Sequence, residues 1–350
     1  MNNKNLYVDF HVIQTVPPSC INRDDVGRPK TAVYGGVTRA RVSSQAWKHA
    51  IREKFKEIFP SEDLGSRTKY SIDLISQAIQ ELNPEISTDD AITLATNSLE
   101  NAGVKVKKNT TDALFFISYA QIKKLAELCV NGEKDKKLYK ETLKSAPSID
   151  IALFGRMVAS DQDLNVDATS QVAHSISTHA VQNEYDYFTA LDDNLPKDKA
   201  GAGHLGTTEF NSSTLYRYAT INVSKLYETI KSDVSMAVRG FAEAFICSMP
   251  TGKQNSYANE TLPSMIYVTI RDNQPINLVG AFEKPIFSNN GYTEKSIETL
   301  CEYAKNIYND YCNEPKYSLI LGTDLMPNAE RVNKNQLLDK LQEYITNEVI

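Results

Sequence analysis

The segment from Gly35 to Lys56 constrains the fold of this chain more than any other stretch. The Gly35-Gly36 pair predicts a tight turn, because glycine tolerates backbone angles that other residues avoid. Arg39-Ala40-Arg41-Val42 then predicts a short strand, and Ser43-Ser44 predicts the start of a helix. Apolar residues continue from there at helical spacing and define one buried face, namely Trp47, Ala50, Ile51, Phe55, Ile58 and Phe59.

The same helix carries a second stripe made of cations. Lys48, Arg52 and Lys56 are spaced four apart and therefore lie on one face of the helix. They follow serine hydroxyls, a glutamine and the free N–H groups of a helix start, all of which favour anions. The segment thus predicts a phosphate-binding surface, although a cationic helix stripe is most often only a solvated face.

Charge distribution favours the phosphate interpretation. Residues 23–56 hold nine Lys/Arg against three Asp/Glu, which gives +6 in a chain whose net charge is −6, so the remainder carries −12. A basic island on an acidic protein indicates a groove for a polyanion.

Composition narrows the class of protein. With 350 residues, 41% of them hydrophobic and 23% charged, the chain is typical of soluble globular proteins. No apolar run approaches 18 residues and the N-terminus has no apolar signal region, so we expect a cytoplasmic protein.

The five cysteines form no C-x-x-C pair, and Cys301 and Cys312 are predicted on one helix too far apart for a disulfide. His174 and His179 lack metal spacing, so we expect neither zinc nor any other cofactor.

Periodicity predicts an α+β fold. Alternating apolar residues predict a strand over residues 6–13, whereas residues 61–145 show helical spacing and predict a helical insertion, with a helix over 112–130 capped by Thr110 or Thr111. Further strands are predicted at 148–154, 213–223, 265–271 and 317–321, with long helices at 233–249 and 293–311. Residues 192–206 have the composition of a hairpin tip. A ferredoxin-like β-α-β-β-α-β core fits this order best.

Nine short motifs occur in order along the chain. They are Pro18–Asp25, Gly35-Gly36, Arg41-Val42-Ser43-Ser44-Gln45-x-x-Lys48, Asp150–Met157, Ala173–His179, Phe188-Thr189-Ala190, His204–Phe210, Tyr216–Asn222 and Ala281–Lys284. Each motif alone is weak, but the ordered set is strong, and together the motifs resemble the CasC family, the backbone subunits of the type I-E CRISPR Cascade complex. The likeness covers nearly the whole chain and is weakest in the helical insertion and the last sixty residues.

The resemblance implies a hand-shaped protein that polymerises along one guide RNA. It implies an RNA-recognition-motif-like palm (1–60 and 146–350), helical fingers (61–145) and a β-hairpin thumb (185–210) that presses between bases of the guide–target duplex. The implied partners are the crRNA, target DNA, further copies of this chain and the other Cascade subunits: large, small, 5′-handle and crRNA-processing.

The resemblance also assigns site residues. A guide that must pair with any target is held by its phosphates and sugars. Met157 matches a residue that wedges against the RNA bases. The remaining assignments are Arg23, Lys30, Arg39, Arg41, Ser43, Gln45, Lys48 and Arg52 for RNA; Tyr187, Phe188, Leu191, His204 and Leu205 for the thumb; and Lys136, Lys137, Lys140 and Lys144 for duplex DNA.

Two enzymatic alternatives compete with a non-catalytic role. Related backbone subunits of type III complexes cut target RNA with an acidic residue near the thumb, and Asp161 and Asp163 are the candidates here for metal-assisted cleavage. A small-molecule enzyme of ferredoxin-like fold has no support, because no Ser/His/Asp, Cys/His or P-loop pattern is present. We therefore expect a subunit that binds RNA without catalysis.

Overall fold

The computed structural model describes residues 5–190 and 204–349. The strands are β1 (Tyr7–Ser19), β2 (Thr31–Tyr34), β3 (Val37–Val42), β4 (Gly65–Thr68), β5 (Val106–Lys107), β6 (Thr110–Thr111), β7 (Phe115–Ser118), β8 (Ser170–Val172), β9 (Ser175–Ser177), β10 (Glu184–Ala190), β11 (His204–Asn222), β12 (Met265–Arg271), β13 (Tyr317–Leu321) and β14 (Glu330–Arg331). The helices are α1 (Ser44–Ile58), α2 (Ser71–Leu82), α3 (Thr88–Asn101), α4 (Tyr119–Val130), α5 (Lys136–Lys144), α6 (Ile149–Phe154), α7 (Val223–Ile230), α8 (Val234–Cys247), α9 (Gln254–Tyr257), α10 (Thr293–Asp310) and α11 (Lys334–Val349). The predicted α+β class is confirmed.

One large sheet organises the body of the protein. Its strand order is β14-β13-β12-β1-β11-β9-β3-β2, and β8 and β10 also pair with β11. The central strand β1 runs antiparallel to both neighbours, with Tyr7 opposite Asn222 on one side and Arg271 on the other. Helices cover both faces, because Val8 and Phe10 of β1 pack in the cluster that holds α1, α8 and α11, whereas Ile13 packs in the cluster that holds α10.

Residues 65–143 build a second apolar core beside the sheet. Helices α2, α3, α4 and α5 supply most of it. The predicted helix over 112–130 is too long, because Phe115–Ser118 forms β7 and pairs with β4. The helix starts one residue later, where Ser118 and Gln121 form a reciprocal capping box. The insertion is therefore helical with two small two-stranded sheets, and Thr110 and Thr111 belong to β6 instead of capping a helix.

Two further local predictions are wrong. The predicted strand over 148–154 is α6, with Ser148 before its first residue and Gly155 at φ +78° after its last. A short apolar run that is buried on most sides shows neither the helical nor the strand spacing of polar residues. The residues that flank the run, here Ser148 and Gly155, therefore distinguish a helix from a strand. Cys312 lies beyond the end of α10 and does not share a helix with Cys301.

Strands β10 and β11 form a hairpin in the region predicted as the thumb. They pair from Glu184–Phe210 to Ala190–His204. Ionic and amide hydrogen bonds fix the base of the hairpin, since Arg28 Nε lies 2.8 Å from Glu209 Oε1 and Asn183 Nδ2 donates to Glu209 Oε2 at 2.9 Å. Within the described residues, none of the helices combines the length and apolar character needed to span a bilayer.

Candidate nucleic-acid interface

Helix α1 begins where the sequence predicts and is anchored from both sides. The Ser43 hydroxyl accepts a hydrogen bond from the Ala46 N–H at 3.3 Å, as an N-cap does. The Ser43 N–H in turn donates to Asn22 Oδ1 at 2.9 Å. Trp47 is buried and its indole N–H donates to Ser175 Oγ at 2.9 Å. This anchoring fixes the direction in which the cationic face of α1 points.

That face lines a cleft between the sheet body and the insertion, which we call the α1 cleft. It has a volume of about 520 Å³. The cleft brings together residues that are far apart in the sequence, since Gln45, Lys48 and Arg52 of α1 face Met157 across it. Met157 is 82% exposed although it is a large apolar residue. Cations, an amide and an unpacked apolar side chain therefore share one surface.

Lys48 has the most distinctive environment in the α1 cleft. Its side chain is partly buried, and burial lowers the pKa of its ammonium group. Its Nζ atom lies 6.0 Å from the centre of the Phe154 ring, and among the described residues no carboxylate lies within 4.0 Å of it. A desolvated cation without a counter-ion is unfavourable by itself and favours the arrival of an anion.

Arg52 differs from Lys48 because it already has an anionic partner. Its Nε atom lies 3.4 Å from Asp150 Oδ2, and its guanidinium stacks 4.5 Å above the Phe116 ring centre. The carboxyl of Asp150 also accepts hydrogen bonds from Ser148 Oγ at 2.6 Å and from the Gly65 N–H at 3.0 Å. Burial raises the pKa of Asp150, and the hydrogen bond from Ser148 and the charge of Arg52 oppose that rise. Arg52 thus links α1 to the insertion.

A buried arginine that the sequence did not single out as functional supports Met157. Arg156 donates from Nη2 to the Leu143 carbonyl at 2.6 Å and from Nε to the Leu164 carbonyl at 3.0 Å. Burial lowers its pKa to about 10. These bonds anchor Arg156, the residue before Met157, to α5 and to Leu164. The backbone that carries the exposed Met157 side chain is therefore fixed in position.

Arg39 does not belong to the α1 cleft. It is fully buried, and its guanidinium donates to the carbonyls of Tyr34, Ser177, Phe282 and Glu283 at 2.8–3.3 Å. The alternation of a β-strand places Arg39 and Arg41 on the same side, so strand period alone does not distinguish them. Arg39 therefore stabilises this part of the sheet, because its guanidinium donates to four backbone carbonyls.

The other predicted RNA-binding cations, Arg23, Lys30 and Arg41, do not line the α1 cleft. Arg41 contacts His174 through Nη1 and Nδ1 at 3.0 Å, and burial together with Arg41 and Lys30 lowers the pKa of His174. Arg23 lines a neighbouring cleft of about 590 Å³ beside Gly252. His49 lines both this cleft and the α1 cleft, so the two are contiguous around α1.

The α1 cleft also contains residues that the sequence did not assign to a site, and His49, Arg67 and Leu114 are three of them. His49 follows Lys48 and lies four residues after Gln45, so the helical period of α1 was sufficient to find it. Arg67 on β4 and the exposed Leu114 before β7 reach the cleft only through the tertiary fold. No local pattern marks them, because the insertion pairs β4 with β7 across more than forty residues.

The lysine stripe of α5 is largely occupied by carboxylates. Lys140 Nζ lies 2.6 Å from Asp161 and 3.0 Å from Asp163, and Lys144 Nζ lies 3.7 Å from Asp163. Hydrogen bonds from Lys140 lower the pKa of both aspartates. Lys137 pairs with Glu141 at 3.8 Å, and the described residues contain no carboxylate within 4.0 Å of the Lys136 ammonium group. Among residues 5–190 and 204–349, no three His, Cys, Asp or Glu side chains are grouped to hold a metal ion.

The predicted thumb residues fall partly inside the described structure. Tyr187 and Leu205 are exposed, and Phe188 lies opposite Gly206 across the hairpin. A Cβ atom on Gly206 would lie 2.4 Å from Phe188 Cζ, so the ring covers the glycine. Leu191 lies outside the described residues, and His204 is placed by its backbone pairing with Ala190.

Comparisons with known proteins identify the family of this chain. The family model for CT1975-like proteins matches residues 8–346. A chain of a structure described as "CRISPR RNA-guided surveillance complex, pre-nicking" is 31% identical, with a TM-score of 0.84 over 97% of this chain and 100% of that chain. A chain of a "CRISPR RNA-guided surveillance complex" is 28% identical, with a TM-score of 0.64 over 97% and 99%. No functionally curated protein matches the sequence significantly. The chain therefore belongs to the CT1975-like family, in agreement with the resemblance to CRISPR backbone subunits that its motifs predicted.

Proposed function

We propose that this chain is a crRNA-binding backbone subunit of a type I-E Cascade complex, and that several copies line one guide RNA. The similar chains come from CRISPR RNA-guided surveillance complexes, and the likeness covers 97% of this chain and 100% and 99% of the two similar chains. The RNA-recognition-motif-like palm, the fingers and the thumb remain part of this proposal.

The environment of Lys48 is the single observation that carries the proposal. Its ammonium group is partly desolvated and has no carboxylate within 4.0 Å among the described residues, and it shares the α1 cleft with Gln45 and the exposed Met157. A phosphate would neutralise the cation, the glutamine amide would donate to a phosphate or sugar oxygen, and Met157 would pack against a base. None of these contacts reads a base edge, as a guide of variable sequence requires.

The partner surfaces follow from the same proposal. The β10–β11 hairpin would separate bases of the guide–target duplex, with Tyr187, Phe188 and Leu205 as its apolar surface. Because Lys140 and Lys144 already pair with Asp161 and Asp163, the α5 stripe would offer duplex DNA less free charge than its sequence suggests.

The direct test is the RNA content of the purified protein. Expressed with its own CRISPR transcript, the protein should carry a processed RNA of fixed length, and Lys48→Gln should reduce the bound RNA regardless of guide sequence. Particles free of RNA when the transcript is abundant would refute the proposal.

We also propose that the role is non-catalytic. Asp161 and Asp163 both bind Lys140, which competes with a metal ion for the same carboxylate oxygens. The assembled complex should leave complementary RNA intact in Mg²⁺. Periodic cuts that Asp161→Ala abolishes would establish the cleaving alternative instead.

A further inference from the structure

A second group of cations lies on the insertion, next to the α1 cleft. Strands β5 and β6 form a small hairpin that carries Lys105, Lys107 and Lys108, all of them exposed. Lys69 lies beside this hairpin, because its carbonyl accepts a hydrogen bond from the Thr111 N–H at 2.9 Å. We call these four lysines the basic hairpin.

The basic hairpin has a net positive charge, and its lysines form no ion pairs with described residues. Among the described residues, no carboxylate oxygen lies within 4.0 Å of any of its four ammonium groups. Asp112, whose N–H donates to the Lys105 carbonyl at 3.0 Å, is the acidic residue of the same segment. The α5 stripe on the same insertion differs, since three of its lysines pair with carboxylates. Four cations against one carboxylate create a local field that attracts a polyanion.

The basic hairpin is contiguous with the α1 cleft. Lys105 lines a pocket of about 150 Å³ that Met157 and Leu114 also line, and both of those residues line the α1 cleft. Arg67, two residues before Lys69, reaches the α1 cleft from β4. A strand that leaves the cleft past Met157 therefore meets Lys105 next.

We infer that the basic hairpin holds the phosphate backbone of the nucleic acid as it leaves the α1 cleft. This inference rests on the proposed function, because the α1 cleft must itself bind nucleic acid. Nucleic acid is favoured over an acidic protein surface because of the continuity with the cleft. The flexible ammonium groups bind phosphates as point charges and read no sequence, so the contact serves any strand.

The test compares the salt dependence of binding between two triple variants. The probe is fluorescein-labelled oligouridine bound to the purified full-length protein. Lys105→Gln/Lys107→Gln/Lys108→Gln should make the slope of log affinity against log salt less steep by about two, because each phosphate contact on a single strand contributes about 0.7. The matched control is Lys123→Gln/Lys124→Gln/Lys134→Gln, which removes three exposed lysines of the insertion that line neither the α1 cleft nor the Lys105 pocket. Its slope should equal that of the parent.

The outcomes separate this inference from the proposed function. If the hairpin variant keeps the parental slope while Lys48→Gln lowers it, the α1 cleft stands and the basic hairpin assignment is wrong. If RNA binding is unchanged but self-association falls, the patch binds an acidic protein surface and the nucleic-acid assignment is again wrong. If the parent does not bind the probe, the proposed function fails and the inference fails with it. Should the triple variant melt below the parent, Lys105→Gln/Lys107→Gln replaces it, because it leaves Lys108, at φ +56°, in place.

Discussion

Lys48 and Arg52 look equivalent in the sequence, but the structure predicts opposite consequences for their loss. Arg52→Gln removes the ionic partner of Asp150, whose side chain is 3% exposed. Breaking a buried ion pair costs about 3–5 kcal/mol. Here Arg52 is itself 22% exposed and Asp150 keeps its bonds to Ser148 and Gly65, so we expect a loss of about 2 kcal/mol in the free energy of unfolding.

The pH dependence of that loss has a definite sign. The pKa of Asp150 is raised in the folded state, and removing Arg52 raises it further. A carboxyl with a raised folded pKa destabilises the protein above that pKa, because the folded state must keep it ionised while buried. The deficit of Arg52→Gln should therefore be largest at neutral pH. It should shrink as the pH falls through the raised pKa towards the ordinary aspartate value of about 3.9.

Lys48→Gln is the matched control, since this lysine has no carboxylate partner within residues 5–190 and 204–349. Its free energy of unfolding, measured in urea, should stay within about 0.5 kcal/mol of the parent value. Its RNA affinity should nevertheless fall by roughly tenfold or more, because a charged hydrogen bond to phosphate contributes about 1.5–3 kcal/mol. Equal destabilisation by Lys48→Gln and Arg52→Gln, or an Arg52→Gln deficit that grows as the pH falls, would refute this division of roles.

Two further predictions concern stability. Asp9 and His11 are buried on one face of β1, and burial raises the pKa of Asp9 to about 6 and lowers that of His11 to about 3. Because the two shifts oppose each other, the variant that keeps only Asp9, His11→Gln, should gain stability as the pH falls from 6 towards 4. The variant that keeps only His11, Asp9→Asn, should lose about 1.4 kcal/mol in the free energy of unfolding for each pH unit from 6.5 down to 3. Urea midpoints of the two variants that change with pH in parallel would contradict this. Gly35→Ala should cost more than about 2 kcal/mol, because the residue has φ +59° and its Cβ would lie 1.6 Å from the Glu283 carbonyl oxygen. Gly36→Ala should cost only about 1 kcal/mol, because the residue has φ +79° and its Cβ would have no described atom within 4 Å. Thermal melting of the two variants measures this difference.

The elements that the sequence predicted well are those whose local pattern and tertiary role coincide. In helix α1 the serine caps the helix, the apolar stripe is buried in the core, and Lys48 and Arg52 of the cationic stripe line the α1 cleft. The strands at 265–271 and 317–321 have the predicted bounds, because they are buried apolar runs flanked by polar residues. Segment 148–154 was predicted as a strand because a six-residue helix buried all round shows no period.

Local sequence pattern predicted only the α1 side of the site, and Met157 was assigned through the family resemblance. Residues of α1 share a helical face, so their spacing placed them together. Arg67 and Leu114 form part of the other wall through long-range strand pairing, which leaves no trace in local sequence. The tertiary environment also distinguishes cations that the sequence grouped together, since Arg39 donates to backbone carbonyls whereas Lys48 has no carboxylate within 4.0 Å in the part of the chain that the structure describes.

An ion pair and several hydrogen bonds beside the α1 cleft fix the distance between its walls. Asp150 bonds to Arg52 and to the backbone of β4, and Arg156 bonds to the carbonyls of Phe116 and Leu143, so charged groups bridge two separately packed cores. Such bonds tolerate changes in length far less than apolar contacts do. Every copy along a guide would then grip the strand with the same spacing between its two walls.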